Sequence, residues 1–227
     1  MKEKDILCDS GSLITLTSAC MDRTLYFLHE KFGVRFIIPP SVEYETISRP
    51  LYGGLNHFAF SAIRIKEALN DNILTKIEGN VRSEAKRILD LANNVFYVKG
   101  NPLNLIQIGE AEMLALASSI DVNNILLDER TTRMLIEAPF KLKEHLETEF
   151  SATIMVDSDR MHKFSDAFKS MNVIRSSEIV IIAYENGFLD HFNSLKKEAL
   201  EAVLYKVKYA GCSIRFDEIR QYIKTVK

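Results

Sequence analysis

The stretch Asp5-Ile-Leu-Cys-Asp9-Ser-Gly-Ser-Leu-Ile14 decides how the rest of the chain is read. Asp5 to Cys8 has the look of a short buried strand. Asp9-Ser-Gly-Ser supplies turn chemistry, with Ser10 or Ser12 available as a helix N-cap, and Leu13, Ile14 and Leu16 begin a helical pattern. Working outward, the alternation repeats. Arg23 to Lys31 reads as helix and is broken by Gly33, and Val34 to Ile38 is an apolar, β-branched run, hence a second buried strand. Pro40 suits the first turn of a helix holding Val42, Tyr44 and Ile47, and Pro50 to Gly54 reads as a loop.

Helical patterns follow at 58–69 and 81–93, with strands expected at 73–77 and 95–98. Gly109 opens a helix of small and apolar residues, Asn124 to Leu127 is strand-like, and a helix beginning at Asp128-Glu-Arg runs through Leu135. Strands alternating with helices require crossover connections and so predict a mostly parallel sheet. Residues 1–150 are therefore expected to form one α/β domain. After a strand at 152–156, the remaining patterns are helical, so 151–227 reads as a helical extension packed on that domain.

The balance of 47% hydrophobic and 26% charged residues is that of a globular chain. A net charge of −2 gives no global basic field to advertise nucleic acid, so a nucleic-acid function has to rest on local chemistry. Three cysteines without CxxC spacing argue against a disulfide framework or zinc site and favour a reducing cytoplasm. No signal peptide or membrane span is read. The five histidines show no ligand spacing.

Acidic residues carry the chemistry. Asp9 ends the first strand and Asp128-Glu129 end a later one, at the carboxyl ends where α/β sheets bind ligands. Glu110 shares a helix face with Met113, Leu114 and Ala117, and Glu45 shares a face with Val42. A carboxylate continuing an apolar stripe is costly unless paired, protonated or metal-bound. Several carboxylates without an equally regular set of basic partners indicate a hard, oxygen-ligand cation, Mg2+ or Mn2+. Ser10 or Ser12 suits a metal-bound water or a phosphate, and Arg130 and Arg133 either grip phosphate or pair with nearby acids. Each acid also has an ordinary structural role available: a helix N-terminus or turn for Asp9, a solvated helix face for Glu45, a helix first turn for Glu110. Glu43 rivals Glu45, Glu112 rivals Glu110, and Glu129 rivals Asp128. Arg175-Ser-Ser-Glu reads as a helix cap or an anion site.

These segments resemble a known family. Asp9-Ser-Gly-Ser-Leu-Ile is similar to the first motif of PIN-like nucleases, Pro40-Ser-Val-Glu-Tyr-Glu-Thr to the second, Gly109-Glu-Ala-Glu-Met-Leu-Ala to the third, and Leu126-Leu-Asp-Glu-Arg to the fourth. Their order and spacing agree over the first 135 residues or so. The resemblance implies an α/β/α sandwich and a metal-dependent ribonuclease in which Asp9, Glu45, Glu110 and Asp128 are catalytic. Asp9, Glu110, Asp128 and Glu129 are the candidate metal ligands. It implies RNA as substrate and makes a homodimer or a protein regulator plausible, as in toxin–antitoxin pairs. Two departures stand out: the region 50–108 is long, and the tail beyond 150 has no place in a minimal PIN domain. They keep open a second expectation, a catalytically silent module that binds RNA or protein.

Overall fold

The computed structural model describes residues 4–226. In chain order the elements are β1 (Asp5–Cys8), α1 (Ser10–Ser18), α2 (Arg23–Phe32), β2 (Arg35–Ile38), α3 (Pro40–Glu43), α4 (Arg49–Tyr52), α5 (Ala59–Asn70), β3 (Leu74–Lys76), α6 (Arg82–Asn93), β4 (Phe96–Val98) and β5 (Asn101–Pro102). They continue with α7 (Ile108–Ile120), β6 (Asn124–Leu126), α8 (Arg130–Glu137), α9 (Pro139–Phe150), β7 (Ile154–Val156), α10 (Ser158–Phe168), β8 (Asn172–Ile174), α11 (Ser176–Glu185), α12 (Lys196–Ala210) and α13 (Phe216–Thr225).

Five strands pair in parallel in the order β3-β2-β1-β6-β8. Side chains alternate across such a sheet, and the alternation feeds two cores. Ile6, Cys8, Phe36, Ile38 and Leu126 face helices α1, α2, α5 and α11–α13. Leu7, Ile37, Ile125 and Leu127 face α6–α10. With apolar surface on both faces, the strands are covered by helices on both sides, as a parallel sheet requires. The expected α/β class is what the chain adopts.

Several local readings differ. Strand β4 does not join the parallel sheet. It pairs antiparallel with β5 and β7 in a separate three-stranded sheet. Residues 139–150 form a full helix, α9, begun by Pro139 at its first turn. Pro50 does not open a loop: the helix begun at Pro40 continues through a π-helical turn at Tyr44–Ser48 into α4. Proline inside an α-helix clashes with the carbonyl four residues back, and the wider π turn just before Pro50 makes room for it. Beyond residue 150 the strand expected at 152–156 forms as β7, and a further strand, β8, stands where none was expected. β8 pairs parallel with β6 and forms an edge of the main sheet, with Asn124 opposite Asn172 and Leu126 opposite Ile174. Among the described residues no helix is long and apolar enough to cross a membrane.

The connections run from β1 out to β2 and β3, then return to the other side of β1 for β6 and β8. Crossovers on opposite sides diverge between β1 and β6, leaving a crevice beyond their carboxyl ends. Such a switch point is where open α/β sheets place their ligands.

Candidate functional site

Asp9 follows β1 at this switch point, and its backbone N–H donates to Leu126 O across to β6 (3.0 Å). Asp9 itself, rather than Ser10 or Ser12, caps α1: its backbone is extended and Oδ1 accepts the Ser12 N–H at 2.7 Å. An aspartate at the N-cap reaches the N–H three residues on, so Ser12 falls at the third helical position and is fully buried. Ser12 is thereby removed as a surface phosphate contact. Ser10 stays at the rim, and its hydroxyl donates to Glu45 Oε2 at 2.7 Å.

Glu45 projects from the π turn, a distortion often found at functional sites. Its other oxygen lies against Gly109, 3.7 Å from where a Cβ would stand. The rival Glu43 turns away to accept the Ser48 hydroxyl at 3.0 Å. Glu110 sits in the first turn of α7, where Oε2 accepts the Gln107 N–H at 2.9 Å. Glu110 therefore caps α7 and lines the cavity at the same time. Its rival Glu112 lines neither cavity described below.

Asp9, Ser10, Val42, Glu45, Gln107, Ile108, Gly109, Glu110 and Met113 enclose a cavity of about 130 Å3. Three of the four acids expected from sequence to be catalytic meet there, and among the described residues no lysine, arginine or histidine lines the cavity. Burial pushes the Asp9 carboxyl up to about 7, and the charges of Asp128 and Glu110 push the same way. The backbone and side chain of Ser12 pull against that rise but do not cancel it.

Asp128 does not line this cavity. It is 3% exposed and turned toward β8, where Ser176 donates its N–H to Oδ1 (2.8 Å) and its hydroxyl to Oδ2 (2.7 Å). Its charge is nevertheless felt at Asp9. Glu129 caps α8, with Oε1 accepting from Thr131 N (2.8 Å) and Oε2 from Thr132 N (2.5 Å), and it does not line the Asp9 cavity. Arg133 pairs with Glu137 one turn on (3.2 Å), whereas Arg130 pairs with no acid among the described residues. Arg175 serves as a structural tie, with ion pairs to Glu178 and Glu218 at 2.8 Å each. Its N–H is capped by Glu178.

Ser176 is the residue that sequence reasoning missed. The segment Arg175-Ser-Ser-Glu was legible as a cap, but a strand of only three residues before it carries too little periodicity to be read. Seen as a strand, it would have placed Ser176 at a third carboxyl end of the sheet. Gln107 was missed because a glutamine before an apolar helix gives no chemical signal of its own.

Among the described residues, no three His, Cys, Asp or Glu side chains are drawn together into a ready-made ligand sphere. The donors around the cavity are nonetheless mostly oxygens, the carboxylates of Asp9, Glu45 and Glu110 with the Ser10 hydroxyl and the Gln107 amide. That set suits a hard divalent cation that keeps several of its waters. Comparison with protein-family models, with curated proteins and with solved structures found no match for the chain.

Proposed function

We propose that the chain is a metal-dependent ribonuclease of the PIN-like class, hydrolysing RNA phosphodiester bonds at the Asp9 cavity. The observation that carries this reading is the meeting of Asp9, Glu45 and Glu110, with no cation in the lining, at the switch point between β1 and β6. The order of the four sequence motifs supports it independently. Asp9 and Glu110 are the groups that would hold Mg2+ or Mn2+. Glu45, steadied by Ser10, would complete the site directly or through water.

A bound divalent ion would supply an activated water and would neutralise charge on the phosphate. The chain's own residues supply the rest. Asp128, fixed by Ser176, places a buried negative charge behind Asp9 and raises its attraction for a cation. Ser10, Ile108 and Gly109 are first-turn residues of α1 and α7 and line the cavity, so two helix N-termini meet there. Their N–H groups and dipoles favour an incoming phosphate that the carboxylates alone would repel. Gly109, without a side chain, leaves that approach open.

The test is a manganese titration by calorimetry on wild type and Asp9→Asn, in parallel with RNA cleavage with and without chelator. Wild type should bind manganese and cut RNA, and the variant should do neither. Cleavage that survives the chelator, or that persists in Asp9→Asn, would sink the proposal.

A further inference from the structure

Beside the Asp9 cavity lies a larger groove of about 390 Å3, and the two share Gln107 and Glu110 as a common wall. Its volume falls in the range of small-ligand sites. Leu103, Leu105, Leu146 and Phe150 give it apolar surface, and Phe150, at the end of α9, is 45% exposed. The polar lining is Asn104, Gln107, Thr131 and the carboxylates Glu110, Glu129 and Glu149. Among the described residues no lysine, arginine or histidine lines it, so the groove repels phosphate and suits an uncharged, donor-rich, flat group.

One wall is held rigid. Asn93 Oδ1 accepts the N–H groups of Leu105 (2.7 Å) and Ile106 (2.9 Å), and its amide donates to Ile106 O (2.9 Å). The loop between β5 and α7 is thus fixed before any ligand arrives. Of the three carboxylates, Glu129 spends both oxygens capping α8 and Glu110 spends one on Gln107. Glu149 accepts no hydrogen bond among the described residues and has only His145 nearby, at 3.8 Å.

We infer that this groove is a base-recognition subsite that seats a guanine flanking the scissile phosphate. The inference rests on the ribonuclease reading for its substrate class. An unstacked base lies on the Phe150 ring, as single-stranded RNA commonly does on aromatic side chains. Guanine alone among the four bases presents two adjacent donors, N1–H and the 2-amino group, on its Watson–Crick edge. Those donors match the carboxylate of Glu149, which accepts no hydrogen bond among the described residues. Because the groove shares Gln107 and Glu110 with the acidic cavity, the neighbouring phosphate is delivered to Asp9.

The experiment uses a short single-stranded RNA with one guanosine in a uridine background, and its inosine counterpart, which lacks the 2-amino group. Binding is read by fluorescence anisotropy with calcium present, and cleavage separately with manganese. The guanosine oligomer should bind about tenfold more tightly than the inosine one, the size of one charge-assisted hydrogen bond. Glu149→Gln should abolish that difference. Phe150→Ala should weaken both oligomers about tenfold, and Phe150→Tyr should restore them.

Equal affinity for the two oligomers, or a difference untouched by Glu149→Gln, would overturn the subsite. So would a Phe150→Ala variant that changes the oligomeric state and leaves RNA binding intact, because the face would then be an interface between copies. The two readings fail separately. Cleavage without guanine preference removes the subsite and keeps the nuclease, and guanine-selective binding without cleavage does the reverse.

Discussion

Ser176 donates its backbone N–H and its hydroxyl to opposite oxygens of Asp128, a residue 48 positions earlier in the chain. The pair ties the carboxyl end of β8 to that of β6. A buried carboxylate without partners is costly, and these two bonds are what make its charge tolerable. The same hydroxyl lies 3.3 Å from Ser12 O, so the first turn of α1 belongs to the arrangement as well. The last third of the chain therefore fixes the carboxylate of Asp128, whose charge acts on Asp9, rather than merely covering the sheet.

Ser176→Ala should lower stability by about 1–3 kcal/mol, because Asp128 Oδ2 is left buried without a donor. In a chain of this size each kcal/mol moves the melting temperature by roughly 2–4 °C. The neighbouring Ser177 is equally buried, but its hydroxyl meets only the Cys212 thiol at 3.5 Å. Ser177→Ala should therefore cost clearly less. Thermal scans showing equal losses would mean that the Asp128 bond has no special weight.

Asp9 gives a stability prediction of the opposite sign. Its carboxyl is raised from 3.8 to about 7, chiefly by burial, so the folded chain retains a proton that the unfolded chain releases across that interval. Its contribution to stability is complete below the unfolded value and is lost as pH rises through about 7. Asn at this position still accepts the Ser12 N–H and carries no charge to bury. Metal-free Asp9→Asn should thus melt a few degrees above wild type at about pH 8, and the gap should close near pH 4. A variant less stable than wild type at alkaline pH would contradict this account of the carboxyl.

What was legible in the sequence follows the strength of local patterns. The runs ending at Cys8, Ile38 and Leu127 are apolar enough to be read as strands, and the acids beside them could be placed at carboxyl ends from the pattern alone. β8 was not legible: Asn172-Val-Ile is too short to show a period, and its place in the sheet comes from pairing with β6. The second sheet was equally hidden, since the sequence around Phe96 does not say which partner it will take. Sequence pattern favoured Asp128 over Glu129 but did not show that Asp128 faces Ser176. That orientation depends on a contact 48 residues away.

Glu45 and Glu43 lie two residues apart, Glu43 at the end of α3 and Glu45 inside the π turn. Glu45 meets Ser10 and lines the cavity, whereas Glu43 accepts from Ser48 on the same helix. If Glu45 serves the cation, Glu45→Gln should weaken manganese binding about tenfold, in line with the loss of a supporting ligand. Glu43→Gln should leave it unchanged. Equal effects in calorimetric titrations would show that only the summed negative charge of this helix matters, and not the position of one carboxylate.

Manganese affinity should also fall with acidity in a defined way. Oxygen ligands bind a cation in their ionised form, so a proton on Asp9 competes with the metal. With the Asp9 carboxyl raised to about 7, chiefly by burial, a proton held there has to leave before the ion binds. Each unit below that value should weaken apparent binding about tenfold, and above about pH 8 the affinity should level off. Titrations in buffers of different ionisation enthalpy should show close to one proton released per ion at about pH 6 and close to none at pH 9. An affinity that is flat from pH 6 to 9 would place the ion elsewhere than on Asp9. A slope of two protons would mean that a second acid of the cavity is held protonated with it.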